Sequence, residues 1–441
     1  MPQSRTLISL SSFALLTAAL VSCGGQTPVA STVDTLQTLA VSYSGKYGYV
    51  HTLTIPSTLS KSTLDANGGK ILAFNPELGT AIVANNVSSM QTYDATVEVN
   101  ASNFRLGDVK ALGYSAWSTG YSAWSTGYSA WSTGTTGTAT TFDENLLSWN
   151  AIRLTDAQTL VPELGRGVKV AVIDTGIDLN HAAFAGHLDT LNMKDFLLNT
   201  NSPQEVNAST VAGTYSDGYG HGTATADLIL QIAPNAIILP LRVLDGNGGG
   251  DVQTIASAIS YAVSSGARVI NLSLGSNLDS QAVNMAINAA AGYGVAVISA
   301  SGNSGDTNVL YPAFNGYGPA NVSTWQQAAS VSVGSTSSNL LKSTFSTYGP
   351  HLELVAPGEN LKTAFPGNNT VLATGTSFAA PVVSGAVALA LSAGVVSNSK
   401  QSVGALLGNL DSTATASTDP LYASQLGNGA VNVYNFIHMY R

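Results

Sequence analysis

Three side chains in this 441-residue sequence stand where chemistry could be done. Asp174 closes the apolar run Val170-Ala171-Val172-Ile173 and is followed by Thr175-Gly176, which sets a carboxylate at the end of a strand-like segment. His221 lies in Gly220-His221-Gly222-Thr223, opening the helix-like ATADLILQI. The positive end of a helix disfavours imidazolium, so an imidazole there stays a neutral base near pH 7. Ser377 lies in Gly375-Thr376-Ser377-Phe378-Ala379-Ala380-Pro381, just where the apolar helix VVSGAVALALSAG begins. There its hydroxyl can face a crevice while its backbone N–H points at developing negative charge. A serine hydroxyl is a poor nucleophile until an imidazole takes its proton, and the imidazole needs a tautomer fixed by a buried carboxylate. One at a time, the three read as a strand cap, a core histidine and a helix cap. Together, each flanked by Gly and Thr, they form a set able to carry out acyl transfer.

No other histidine has such surroundings. His51 falls in a leading module, His181 and His187 are spaced too irregularly for a zinc helix, and His351 and His438 lie in loop or tail contexts. HExxH, P-loop and dinucleotide patterns are absent from the sequence. There is no G-x-S-x-G elbow either, which disfavours an α/β-hydrolase.

These groups need a scaffold that brings them to one rim. Beyond Trp149, the runs KVAVID, IILPLRVL, VINLSL and VAVISA are strand-like, while DVQTIASAISYAVSS and SQAVNMAINAAAG have helical periodicity. The alternation predicts a doubly wound, mostly parallel α/β sheet with helices on both faces. In such sheets chemistry collects beyond the carboxyl ends of the strands, which is where Asp174 and the VAVISA run lead.

Composition fits a large packed protein. Hydrophobic residues make up 44% and Gly fills 44 positions, which supplies a core and many tight turns and disfavours disorder, coiled coil or fibre. With 16 Lys and Arg against 25 Asp and Glu, the net charge of −9 argues against nucleic-acid partners and suits an exported protein. The single Cys23 can form neither an internal disulfide nor a Cys-rich metal cluster.

The strings VAVIDTGID, HGTATADLI and ATGTSFAAPVVSGAVAL resemble the three active-site motifs of the subtilisin-like serine peptidases, in that family's order, and SASGNSGD resembles its oxyanion-hole segment. The resemblance runs from about Trp149 to the end of the chain. It implies a serine endopeptidase with Ser377 as nucleophile, His221 as general base and then acid, Asp174 as orienting carboxylate and Asn303 as side-chain oxyanion donor. It also implies two substrate-binding edges, Gly248-Gly249-Gly250 and Ser273-Leu274-Gly275, which would bind an extended peptide by backbone hydrogen bonds. The pocket walls implied by analogy are Leu274, Ala300, Ser301, Gly302 and Ser304. They carry no carboxylate, so broad specificity with an apolar lean is expected.

The sequence departs from the family in two places. Leu230-Gln231-Ile232-Ala233-Pro234 leaves no room for the ion-binding insertion of many relatives, and Ala224 replaces the family's usual His three residues after the catalytic one. No cofactor is expected to be required. A structural calcium ion is left open without a clear site, since Asp245-Gly246-Asn247-Gly248-Gly249-Gly250-Asp251 reads better as a substrate loop than as a ligand set.

Ahead of the peptidase-like region, residues 1–23 carry Arg5, an apolar run from Leu7 to Val21 and the lipobox-like Leu20-Val21-Ser22-Cys23. They read as a lipoprotein-type signal with Cys23 lipidated. The run is shorter than the roughly 20 residues of a transmembrane helix. The expected order is a signal at 1–23, a linker at 24–44, a small α+β module at 45–104, a linker at 105–146 holding three YSAWSTG repeats, and the peptidase domain at 147–441. By resemblance, the module would be a propeptide that blocks the cleft as an intramolecular inhibitor, with cleavage between about Phe104 and Leu147. The membrane would be engaged only through the lipid on the precursor, and the other partners would be polypeptide substrates. The repeats read as duplication in a spacer, with adhesion as the alternative. Two rival readings differ in kind: a catalytically silent adhesive lipoprotein, and a serine-carboxyl peptidase whose base is Glu rather than His.

Overall fold

The structure, a computed structural model, describes residues 47–90, 92–100, 104–105, 142–211, 214–316, 330–395 and 397–441. The expected signal with Cys23, the linker 24–44 and the YSAWSTG repeats lie outside the described residues. Among the described residues no helix is long and apolar enough to cross a membrane.

The leading module is an antiparallel sheet of β1 (Tyr49–Thr54), β2 (Lys70–Asn75), β3 (Thr80–Asn85) and β4 (Asp94–Val99), in the order β2-β3-β1-β4. Its only helical piece among the described residues is the 3-10 turn Pro76–Leu78, which closes the β2–β3 hairpin at the turn anticipated from Asn75 to Gly79. The two-residue period of β3 divides its side chains. Ala81 and Val83 join Leu53, Ile55, Leu64 and Met90 in a small core, while Ile82 and Ala84 turn to the main core of the chain. Two polar residues of the module also reach the main body. Asn100 accepts the Gln253 N–H through Oδ1 at 2.9 Å, and Glu98 accepts the Ala282 N–H through Oε1 at 2.6 Å. Each therefore meets open N–H groups at the start of a helix, Val252–Ser264 and Gln281–Gly292 respectively.

The main body is the expected doubly wound unit. After β5 (Phe104–Arg105) come β6 (Lys169–Asp174), β7 (Lys194–Asp195), β8 (Ile237–Arg242), β9 (Gly249–Gly250), β10 (Val269–Leu272), β11 (Ala296–Ala300), β12 (Ser330–Thr336) and β13 (Leu354–Pro357). Seven of these form one parallel sheet in the order β13-β12-β11-β10-β6-β8-β7. Val170 to Asp174 are buried without alternation, because layers of the fold cover both faces of the sheet. The chain leaves β6 for β8 on one side and reaches β10 on the other, so the strand carrying Asp174 is the switch point at which a crevice opens beyond the strand ends.

Residues ahead of 147 pack into the main body. Phe142 is buried, and Asn145 accepts the Lys362 N–H at 2.8 Å while donating through Nδ2 to Gln231 Oε1 at 2.8 Å. These residues, assigned by sequence to a linker, are fastened into the domain by a buried amide. Arg105, also placed in that linker, lies instead in the paired strand β5.

Candidate active site

Asp174 sits at the carboxyl end of β6, fully buried. Its Oδ1 accepts the Thr175 N–H at 2.7 Å and faces Nδ1 of His221 at 2.8 Å. With the carboxylate at Nδ1, the imidazole holds its proton there and turns its basic lone pair to Nε2. His221 is the first residue of the helix His221–Ile232, as its motif suggests. What lets that helix end approach β6 is Gly222, since a Cβ there would lie 2.0 Å from the Gly176 carbonyl oxygen and 3.2 Å from the Asp174 Cβ.

Ser377 is the second residue of the helix Thr376–Ser392, which starts several residues before the apolar string VVSGAVALALSAG. Pro381 falls inside that helix as its sixth residue, where it cannot donate the bond to the Ser377 carbonyl. The aromatic ring next to the serine, Phe378, lies 5.2 Å from the His221 ring, so the two helix starts meet side by side. The Ser377 hydroxyl donates to the Ser273 carbonyl at 3.3 Å, and the Ser273 hydroxyl donates back to the Ser377 carbonyl at 2.7 Å. Behind them, Asn271 Nδ2 donates to Ser273 Oγ at 2.9 Å, and Ser384 Oγ donates to Asn271 Oδ1 at 2.9 Å. Ser273, an expected edge residue, is thus bonded to the serine helix, two residues before Gly275.

Asn303 follows β11, and its Oδ1 accepts both the N–H of Thr376 at 2.9 Å and its hydroxyl at 3.0 Å. Thr376 Oγ1 in turn accepts the Gly302 N–H at 3.2 Å. These bonds decide which way the amide faces, because its oxygen is held on the first residue of the serine helix. An amide held in this way is suited to donate to an oxyanion without reorganising. Thr376 carries no label from sequence beyond its place in the serine motif, yet it fixes Asn303.

The two expected peptide edges are occupied by the chain itself. In β5, Phe104 pairs with Gly250 and Arg105 with Gly249, antiparallel, on one side. On the other side, Arg105 N–H donates to the Gly275 carbonyl and Gly275 N–H to the Arg105 carbonyl, both at 2.8 Å. Gly249, Gly250 and Gly275 therefore grip one extended segment from both edges, and the Phe104 ring is fully buried. Gly248 turns the loop with a positive φ of 80° and donates its N–H to Asp245. Of the expected pocket walls, Leu274, Ala300, Ser301 and Gly302 are buried and Ser304 is exposed. Ser304 donates to Asp306 Oδ1, so an acid does stand beside the wall. Although desolvation raises it, bonds from Ser304 and Asn308 hold Asp306 below the ordinary carboxylate range.

Asp245 Oδ1 caps its own turn by accepting the N–H groups of Asn247 and Gly249, and Asp251 caps the next helix through the Thr254 N–H. Among the described residues no three His, Cys, Asp or Glu side chains converge.

Sequence reasoning missed Glu205. It is buried beside the Asp174–His221 pair, and burial pushes its carboxyl up to about 7 despite bonds from Thr175 and Thr223, with Asp174 adding like charge. It lies in Ser202-Pro203-Gln204-Glu205, a loop with no periodicity to flag it.

An acid and an imidazole bonded at a strand end, with an alcohol on the adjoining helix start, make an arrangement able to activate a hydroxyl for attack on a carbonyl. The Peptidase S8 family model, described as the subtilase family, matches residues 165–429. An alkaline protease from Alkalihalobacillus alcalophilus is 39% identical over 236 residues, 51% of this chain and 54% of that protein. Subtilisin Savinase from Lederbergia lenta is 39% identical over 236 residues, 51% of this chain and 76% of that protein. The match thus spans about half the length of the alkaline protease. Among solved structures, the prenylagaramide maturation protease PagA is similar with a TM-score of 0.51 and 25% identity, covering 65% of this chain and 98% of that one. The chain belongs to the subtilase family.

Proposed function

We propose that the protein is an exported serine endopeptidase made as a zymogen. In this reading His221 removes the Ser377 proton as the hydroxyl attacks a peptide carbonyl, and Asp174 stabilises the imidazolium that forms. Asn303 Nδ2 and the Ser377 N–H receive the oxyanion, and water then releases the acyl group by the same base. No metal or cofactor enters any of these steps.

The observation that carries the reading is β5. A strand that follows the chain's own leading module lies between Gly249-Gly250 and Gly275, bonded on both edges, and Gly275 stands two residues after Ser273, which bonds Ser377. A substrate held in this way is recognised through its backbone, which favours broad specificity, and the buried Phe104 supports an apolar lean. The module at 45–104 would then be the inhibitory propeptide, released after self-cleavage downstream of Phe104. Lipidation of Cys23 would tether the precursor to the cell envelope, and the same cleavage would free the catalytic domain.

The test is labelling of the purified protein with a serine-directed phosphonate, read by peptide mass mapping alongside hydrolysis of an unfolded protein. Modification at Ser377 with turnover is the expected result. Turnover that survives Ser377→Ala would overturn the reading.

A further inference from the structure

The helix that carries His221 has no cap of its own. Its N-cap position is Gly220, and a Cβ there would meet the Phe365 ring at 2.3 Å, so no capping side chain fits. The open N–H groups of the first turn are met from outside. Gly222 N–H donates to Thr175 Oγ1 at 3.0 Å, and Thr223 N–H donates to Glu205 Oε2 at 3.2 Å, the bond that an N-cap side chain ordinarily accepts. Glu205 completes the link. Its Oε1 accepts the Thr175 hydroxyl at 2.6 Å and its Oε2 the Thr223 hydroxyl at 2.8 Å, with the Gly220 backbone N–H adding to the same carboxyl. Thr175 directly follows Asp174, while Gly220 and Thr223 bracket His221. The carboxyl itself is fixed by its backbone, since Glu205 N–H donates to the Ile177 carbonyl at 3.1 Å and Ile177 N–H to the Pro203 carbonyl at 2.9 Å.

We propose that Glu205 is a positioning residue for the Asp174–His221 pair: it clamps the end of β6 to the first turn of the His221 helix and so sets the hydrogen bond between the carboxylate and the imidazole. Glu205 touches no reacting atom, and the proposal rests on the peptidase reading above. It acts through the bonds it accepts rather than through its charge. The site already tolerates a neutral acid, because burial raises the carboxyl to about 7. A neutral amide of the same shape should therefore serve, with its oxygen on Thr223 and its NH2 on the Thr175 oxygen.

The experiment compares wild type, Glu205→Gln, Glu205→Ala and Thr223→Val as full chains, with Ser377→Ala as the blank. Active sites are counted by phosphonate labelling, so that kcat refers to folded, labelled enzyme and loss of folded protein does not enter the rate. Misplacing a catalytic group by a fraction of an ångström to an ångström costs up to about 100-fold in rate. The expected result is a kcat per labelled site reduced about 10- to 100-fold in Glu205→Ala and about 3- to 10-fold in Thr223→Val. KM should stay within about twofold, and Glu205→Gln should lie within about threefold of wild type. Where Glu205→Ala yields no folded protein, Thr223→Val and Glu205→Gln decide the matter. An unchanged kcat per labelled site in every variant that folds would reduce Glu205 to a structural role and overturn the proposal. A Glu205→Gln enzyme as slow as Glu205→Ala, or slowed about tenfold or more where Glu205→Ala does not fold, would overturn it too. A wild type that neither labels nor turns over would count against the peptidase reading instead.

Discussion

Pro381 stands four residues after Ser377 in the same helix and has no N–H to give to the Ser377 carbonyl. That carbonyl is instead bonded by the Ser273 hydroxyl at 2.7 Å. The missing helix bond thus becomes a link between the serine helix and the segment Ser273–Gly275. Ser273→Ala should leave a buried carbonyl without its partner and cost about 1–3 kcal/mol of stability. Adding Pro381→Ala restores an N–H within the helix and should recover part of that loss. A double-mutant cycle by urea unfolding on the Ser377→Ala background checks this, and strictly additive effects would contradict it.

Removal of the nucleophile should stop both turnover and processing. Ser377→Ala is expected to lower hydrolysis by about 10⁴- to 10⁶-fold. Intact mass should show the module still covalently joined to the peptidase domain, where the wild type shows two pieces.

Asn303→Ala should lower kcat by about 10²- to 10³-fold with little change in KM, because its amide would act on charge that exists only in the transition state. Thr376→Val keeps the amide but removes one of its two orienting bonds, so a smaller loss of kcat is expected. Steady-state kinetics on an extended peptide separates the two, and a rise in KM alone would point to ground-state binding.

The grip of the module on the domain should weaken as pH rises. Burial pushes the Glu98 carboxyl up to about 7 from an ordinary value of 4.5; the nearby Asp279 adds to this, while bonds from Ala282, Ser280 and Gln281 oppose it. A carboxyl whose docked pKa exceeds its free one favours docking fully below 4.5 and loses that preference as pH climbs through about 7. Module release after cleavage should therefore be faster at pH 8.5 than at pH 5, by roughly 10- to 100-fold. Glu98→Gln should flatten the profile between 4.5 and 7. Equal slopes for the two proteins, followed by size-exclusion chromatography, would remove Glu98 from the account.

What could be read from sequence was whatever is encoded locally. Val170 to Asp174 announces a buried parallel strand with a carboxylate at its tip, and Gly-His-Gly-Thr announces a helix start built for close approach. Pro381 misleads on the helix boundary, because a proline reads as a stop and the Ser273 hydroxyl that bonds the carbonyl it leaves open comes from a distant segment. Glu205 was invisible for a different reason. A cap supplied by a remote loop leaves no pattern around Gly220, and the loop that supplies it has no period of its own. Arg105 was placed in a linker because its partners, Gly249 and Gly275, lie far along the chain. Contacts formed across the fold leave little mark on the stretches that make them.

The hold on Phe104 and Arg105 consists of main-chain bonds on both flanks, a grip that an extended segment with open N–H and carbonyl groups can satisfy and that a helix or an interior strand cannot. Discrimination would then fall on the physical state of a protein more than on its spelling. Misfolded or fraying neighbours would be consumed while intact ones are spared, and the enzyme's own leading module would become prey once it unravels.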